Sequence, residues 1–248
     1  MFSHCWFDVG DSVARTHSHQ LTSAGFRAAD AYTRLYKYHD SEFARLMSEE
    51  GKLRVRTLDY YRQWEDARRG DQDGGTLRFD AGGGVNVGAG MDSLTRMAVQ
   101  AFTGLHAKQL DRVAVVDSRV STRELHQNCW VYCTAHELSS DASGGRSACV
   151  EIMEPDEFFR VIGSALAARV GQELEAHAYG VTYRERVVRG DEFVRLSSAF
   201  VKPPRFTFES EVRGIWLSDP PPGQPYVDLV VPDLPSLVRI VEVPKYAV

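Results

Sequence analysis

The spacing of apolar and polar residues changes period several times along the chain, and each change marks an element. Leu35-Tyr36-Lys37-Tyr38 is short, aromatic and β-prone. Asp40 then offers an N-cap. Phe43, Leu46 and Met47 follow at spacings of three and four, which predicts a helix that Gly51 ends. Leu53-Arg54-Val55-Arg56 alternates apolar and basic, as a half-buried strand does. From Thr57 to Arg69 a short helix is expected, with Leu58, Tyr61 and Trp64 on one face. The glycine clusters between Gly70 and Gly90 carry little apolar mass and predict a turn-rich excursion, a hairpin or a mobile flap.

Met91–Phe102 reads as a helix, and strands are expected at Val113–Val116, Cys129–Ala135 and Ala148–Met153. Pro155 sits where a first helical turn tolerates proline and opens a helix to about Val170. The last third predicts strands at Ala178–Val188, Phe206–Leu217, Tyr226–Val231 and Arg239–Val243, with Pro220-Pro221-Pro222-Gly223 as a stiff connection. So many strands with few intervening helices favour a mixed or mostly antiparallel sheet over a parallel, doubly wound one. The fold class expected is α+β. Residues 1–20 read as a loosely attached leader and 21–248 as a single domain, which opens on a weakly helical pattern from Leu21 to Arg34.

Composition narrows this little. At 248 residues, 43% hydrophobic and 25% charged, the chain is ordinary globular material. The net charge of −5 disfavours a protein that coats nucleic acid through its overall field, while leaving room for a local basic groove. No apolar run approaches the roughly 18 residues of a membrane span, and Met1–Gly10 lacks the pattern of a signal peptide. Cys5, Cys129, Cys133 and Cys149 read as reduced thiols, so a cytoplasmic location is the default.

The segment Phe206-Thr207-Phe208-Glu209-Ser210-Glu211-Val212-Arg213 carries the most chemistry. In a strand, Glu209, Glu211 and Arg213 line one face and Phe208, Ser210 and Val212 the other. Two carboxylates about 7 Å apart raise each other's proton affinity unless a cation relieves them, and Arg213 is placed to do so. Such a cluster suits the stabilisation of a developing positive charge at an oxocarbenium-like sugar centre. The plainer alternative is a solvent-facing strand whose charges pair with a neighbour.

This Glu-x-Glu pair on a late strand resembles the motif of arginine-type ADP-ribosyltransferases. The resemblance implies that Glu211 stabilises the transition state at the nicotinamide ribose of NAD, and that Glu209 orients or activates an acceptor. It also implies an early strand with a basic residue that holds NAD, here Leu35–Tyr38 with Arg34, Lys37 or His39 as candidates. Tyr36 or Tyr38 would face the nicotinamide, and Arg213 would join the residues that bind the cofactor. A middle Ser-Thr-Ser element corresponds to Tyr132-Cys133-Thr134, with Thr134 as the matching residue. The acceptor implied is an unidentified protein or nucleic acid, with no membrane partner.

The order of Tyr36-Lys37-Tyr38, Gly51, Tyr61-Arg62 with Glu65, Asp66 and Asp71, then Phe208-x-x-Glu211-x-Arg213 is similar to a second, bacterial family of unknown function, over roughly residues 35–243. Both resemblances imply that the 34–39 and 209–213 segments meet. Two rival readings remain beside the transferase: a nucleotide- or protein-binding module without turnover, and a metal-dependent nuclease built on Glu65, Asp66, Asp71 and Asp73. Cys129, Cys133 and His136 have part of a zinc spacing without a clear fourth ligand, and core thiols are the simpler account. Tyr60, Tyr61, Arg62 and Trp64 have the character to stack a ring, or to form a half-buried helix.

Overall fold

A computed structural model describes residues 32–63, 74–80, 121–188 and 198–244. The expected leader, the helix and strand between residues 91 and 116, Trp64 and the acidic residues 65–73 lie outside them.

Strand β1 (Leu35–His39), helix α1 (Ser41–Glu50) and strand β2 (Lys52–Thr57) follow one another with almost no loop. Helix α1 buries Ala44 and Met47, and Glu42 in its first turn suits the positive end of the helix dipole. Gly51 ends it at φ 63°, and a Cβ there would lie 2.2 Å from the Val231 carbonyl oxygen, so this turn requires glycine. Helix α2 (Leu58–Arg62) is capped by the Thr57 hydroxyl, which accepts from the Tyr60 amide.

Strands β3 (Thr76–Asp80) and β4 (Ser121–Leu125) pair antiparallel. Strand β5 (Trp130–Ala135) is followed by the short helix α3 (Ser140–Ser143) and by β6 (Ala148–Ile152). Helix α4 (Pro155–Val170) opens on proline as expected and buries Phe158, Phe159, Ile162 and Leu166 along one stripe. The strand expected over 178–188 is three pieces: β7 (Glu175–Gly180), β8 (Thr182–Tyr183) and β9 (Val187–Val188). After β10 (Val201–Lys202) come β11 (Glu211–Leu217), β12 (Tyr226–Val230), helix α5 (Leu234–Leu237) and β13 (Val238–Val241).

Eight strands form the main sheet, and every pairing in it is antiparallel. Two small sheets, β4-β3-β9 and β10-β8, accompany it. The protein is thus α+β, with helices flanking a mostly antiparallel sheet. Leu35, Val55, Tyr132, Val150, Val212 and Trp216 on one face of the main sheet pack with Met47, Phe158, Phe159 and Leu234 from the helices into the larger core. On the other face, Val131, Ile215 and Cys129 pack with Leu58, Ala199 and Phe200. Register places Glu211, Ala135, Tyr36, Glu151 and Arg239 in one row across five strands, on this second face.

Among the described residues, no helix is long and apolar enough to cross a membrane.

Candidate functional site

A strand has two edges, and β11 occupies one edge of β5 along its whole length, from Glu211 opposite Ala135 to Trp216 opposite Trp130. Strands β1 and β2 must share the other. β2 holds only its start, Arg56 and Thr57 pairing Val131 and Trp130, while β1 meets only its end, Tyr36 opposite Ala135. Over Tyr132–Thr134 the two diverge, and no described strand fills the gap. The carbonyl of Cys133 faces it and accepts from the Lys37 ammonium at 2.5 Å, while that ammonium also lies 4.7 Å from the centre of the Tyr132 ring. A cavity of about 570 Å³ occupies this split, a size suited to a small-molecule ligand.

The floor of the cavity is a buried charge cluster. Glu211 is only 4% exposed. Its carboxylate accepts from Lys202 at 2.7 Å and from the Arg213 Nε at 2.8 Å, and the Cys133 thiol hydrogen-bonds to it as well. The same Lys202 ammonium donates to Glu209, and Arg213 donates to the Ala199 carbonyl. Tyr183 accepts from the Glu211 amide at 2.6 Å and fixes the start of β11.

The two carboxyls respond in opposite senses. Burial would raise Glu211, but Arg213 and Lys202 outweigh it and hold the group well below the usual carboxylate range. Glu209 is pushed up to about 7, by burial first and by the neighbouring Glu211 next, with Lys202 opposing. Burial pulls the Lys202 ammonium down, yet Glu211 and Glu209 carry it above its ordinary value. At neutral pH the floor therefore holds one fixed anion and one carboxyl poised to gain or lose a proton.

Comparison with family models, curated proteins and solved structures found no match.

The structure brings most of the expected site residues together. Glu209, Glu211, Arg213, Tyr36, Lys37, Tyr38, His39 and Thr134 all line the cavity. The Thr134 hydroxyl is spent on the Val212 carbonyl at 2.9 Å. The Tyr38 hydroxyl donates to the Glu137 carbonyl and accepts from the Ser139 amide, and burial pushes it up to about 12.

Two expectations are corrected. Arg34 does not line the cavity. It lies before β1 and binds Glu151 at 2.6 Å, beside Arg239 on the same carboxylate. The strand expected from Phe206 begins only at Glu211, because Pro204–Glu209 is a 3-10 turn. Pro203 and Pro204 preset the tight backbone, the Thr207 hydroxyl donates to the Pro204 carbonyl, and Ser210 turns at φ 44°. Glu209 thus joins Glu211 through Lys202 and not through strand alternation.

Sequence reasoning missed Lys202 and Arg56 as cavity residues, whereas Tyr61, one of the candidates for ring stacking, does line the cavity. Lys202 carried no signal of its own. The basic alternation of β2, by contrast, is visible in the sequence, where it has the plain form of a half-buried strand. Cys129 and Cys133 lie toward the smaller core, where burial pushes both thiols up to about 12, while the His136 ring stacks on Tyr32 at 5.2 Å. Among the described residues, no group of three or more His, Cys, Asp or Glu is placed to hold a metal.

Proposed function

We propose that the cleft binds NAD and that its floor supports transfer of ADP-ribose to an acceptor. The observation that carries this reading is the pair of carboxyls on one ammonium with opposite proton affinities: a fixed anion and a titratable partner is how a site divides charge stabilisation from proton transfer. In the reaction, the bond between nicotinamide and the ribose C1 breaks with its electron pair leaving on nicotinamide. Glu211 stabilises the positive charge left on the sugar. Glu209, ionised, accepts the proton of the acceptor nucleophile as it bonds to C1.

Further support comes from the cleft walls. Tyr36, Tyr38 and Tyr61 offer aromatic surface, and Lys37, Arg54 and Arg56 offer positive charge. The free thiols Cys129, Cys133 and Cys149 fit a reducing, cytoplasmic setting. The acceptor is a protein or a nucleic acid.

A second reading, a nucleotide-binding module without turnover, is favoured by one observation. Glu211 is already matched by Lys202 and Arg213, an arrangement that holds β11 to the turn before it with no ligand required.

Release of nicotinamide from NAD separates the two. The transferase reading expects turnover by the parent protein and a loss of about 10²–10³ in rate for Glu211→Gln. NAD binding with no release under varied acceptors supports the module. Equal turnover by parent and variant removes Glu211 from the chemistry.

A further inference from the structure

The face of β2 that turns away from the larger core carries Lys52, Arg54 and Arg56, at every second position, and all three line the cleft. Two of them are matched. Lys52 lies 2.7 Å from Glu50, and Arg54 forms a two-point pair with Asp228 at 2.7 and 2.9 Å. Arg56 differs. It makes no ion pair with the described residues: its guanidinium lies 5.0 Å from the centre of the Tyr60 ring and hydrogen-bonds the Tyr61 side chain, while its Nε is buried with no hydrogen-bond partner.

A guanidinium is a planar fork of donors, and a donor buried without a partner is costly until an acceptor reaches it. Cavity-lining cations that lack a carboxylate are the usual receivers of an anion. The surroundings of Arg56 point the same way. Lys37 and Arg146 line the same cavity, and burial together with Lys37, Arg146 and Arg56 drives the nearby His39 down to about 3, so the imidazole is neutral and adds no charge against these cations. Asp40 and Asp228 hold Arg146 and Arg54, and Glu209 and Glu211 are bound to Lys202 across the floor. The upper wall of the cleft therefore has positive charge in excess, centred on Arg56.

We infer that Arg56 is the centre of an anion subsite in the cleft, one that takes a phosphate or diphosphate group through the guanidinium fork. The subsite rests on reading the cleft as a nucleotide site, but it does not require that the nucleotide be cleaved. It moves the anion-binding role from the strand before the split, where Arg34, Lys37 or His39 was expected to serve, to the strand after it.

Calorimetric titration of the full chain at low salt tests this, with inorganic pyrophosphate and ADP-ribose as probes and adenosine as a phosphate-free control. Pyrophosphate and ADP-ribose should bind, and Arg56→Gln should weaken both by about 10-fold or more, since a charge-assisted hydrogen bond is lost. Arg56→Lys should fall between, because it keeps charge without the fork, and it serves as the reporter if the glutamine variant does not fold. Adenosine affinity should be the same in all three proteins. Failure of pyrophosphate to bind the parent, or equal affinity in parent and variants, overturns the subsite. If phosphate binding depends on Arg56 while NAD is never cleaved, the subsite stands and the transferase reading falls. If NAD is cleaved and the variants bind phosphate normally, the reverse holds.

Discussion

Lys202 and Glu211 hold each other at 2.7 Å, nine residues apart in sequence and both almost entirely out of water. Each is costly to bury alone, and the pair persists because Arg213, Glu209 and the Cys133 thiol complete its hydrogen bonds. Removing Lys202 takes a cation from both carboxyls and leaves Glu211 with Arg213 alone to balance it. Lys202→Met is therefore expected to destabilise the protein by about 3–5 kcal/mol at neutral pH, as measured by urea unfolding. The deficit should shrink on acidification, because protonation of the carboxyls removes the stranded negative charge. A variant as stable as the parent would show that the cluster contributes nothing to the fold.

Glu209 gives the protein a pH dependence of its own. Its proton affinity is raised in the folded state, to about 7, so the folded chain holds a proton there that the unfolded chain has already released. The contribution is fully present below the ordinary carboxylate value and is lost as pH rises to about 7. Stability of Glu209→Gln should lack this falling limb. In the proposed reaction Glu209 acts ionised, so the transfer rate should climb through the same pH range in the parent and be flat in the glutamine variant. A parent profile with no inflection near neutrality removes Glu209 as the proton acceptor.

Arg34 supplies the contrasting case. Glu151 is buried, and it keeps Arg239 if Arg34 is removed, so Arg34→Ala should cost no more than about 1 kcal/mol. NAD and pyrophosphate titrations of this variant should match the parent. Weakened binding would mean that Arg34 reaches the cleft after all.

How much of this was legible depended on whether a residue's role was set by its neighbours in sequence or by distant ones. The β1–α1–β2 unit was readable because each boundary has a local cause, the aromatic run, the apolar spacing and Gly51 at positive φ, although α1 buries Ala44 with Met47 and leaves Phe43 exposed. Pro155 announced its helix for the same reason. The 206–209 stretch misled because Phe206 and Phe208 alternate with polar residues, as a strand does, while Pro203 and Pro204 had already fixed a tighter backbone. Lys202 was invisible. Its partners are chosen by the return of the chain through that turn, and a lone lysine before two prolines has no periodicity to betray it. The choice among Arg34, Lys37 and His39 was likewise open to sequence, since it depends on where β1 leaves the edge of β5. That departure sends Arg34 to Glu151 and Lys37 to the Cys133 carbonyl.

The shared edge of β5 has a mechanical consequence. Strands β12 and β2 form one flank of the split, and β1, β6 and β13 the other, and among the described residues no ladder of main-chain hydrogen bonds joins the flanks directly. They are joined through β5, through α1 and through the α5 turn. Spreading the jaws a little strains the Lys37 bond to the Cys133 carbonyl of β5 and leaves the strand pairing inside each flank intact. Glu211 and Arg213 sit on β11, beyond the hinge strand and clamped by β7 on the far side. The sheet thus has compliance where a ligand enters and stiffness where the charge cluster must keep its geometry.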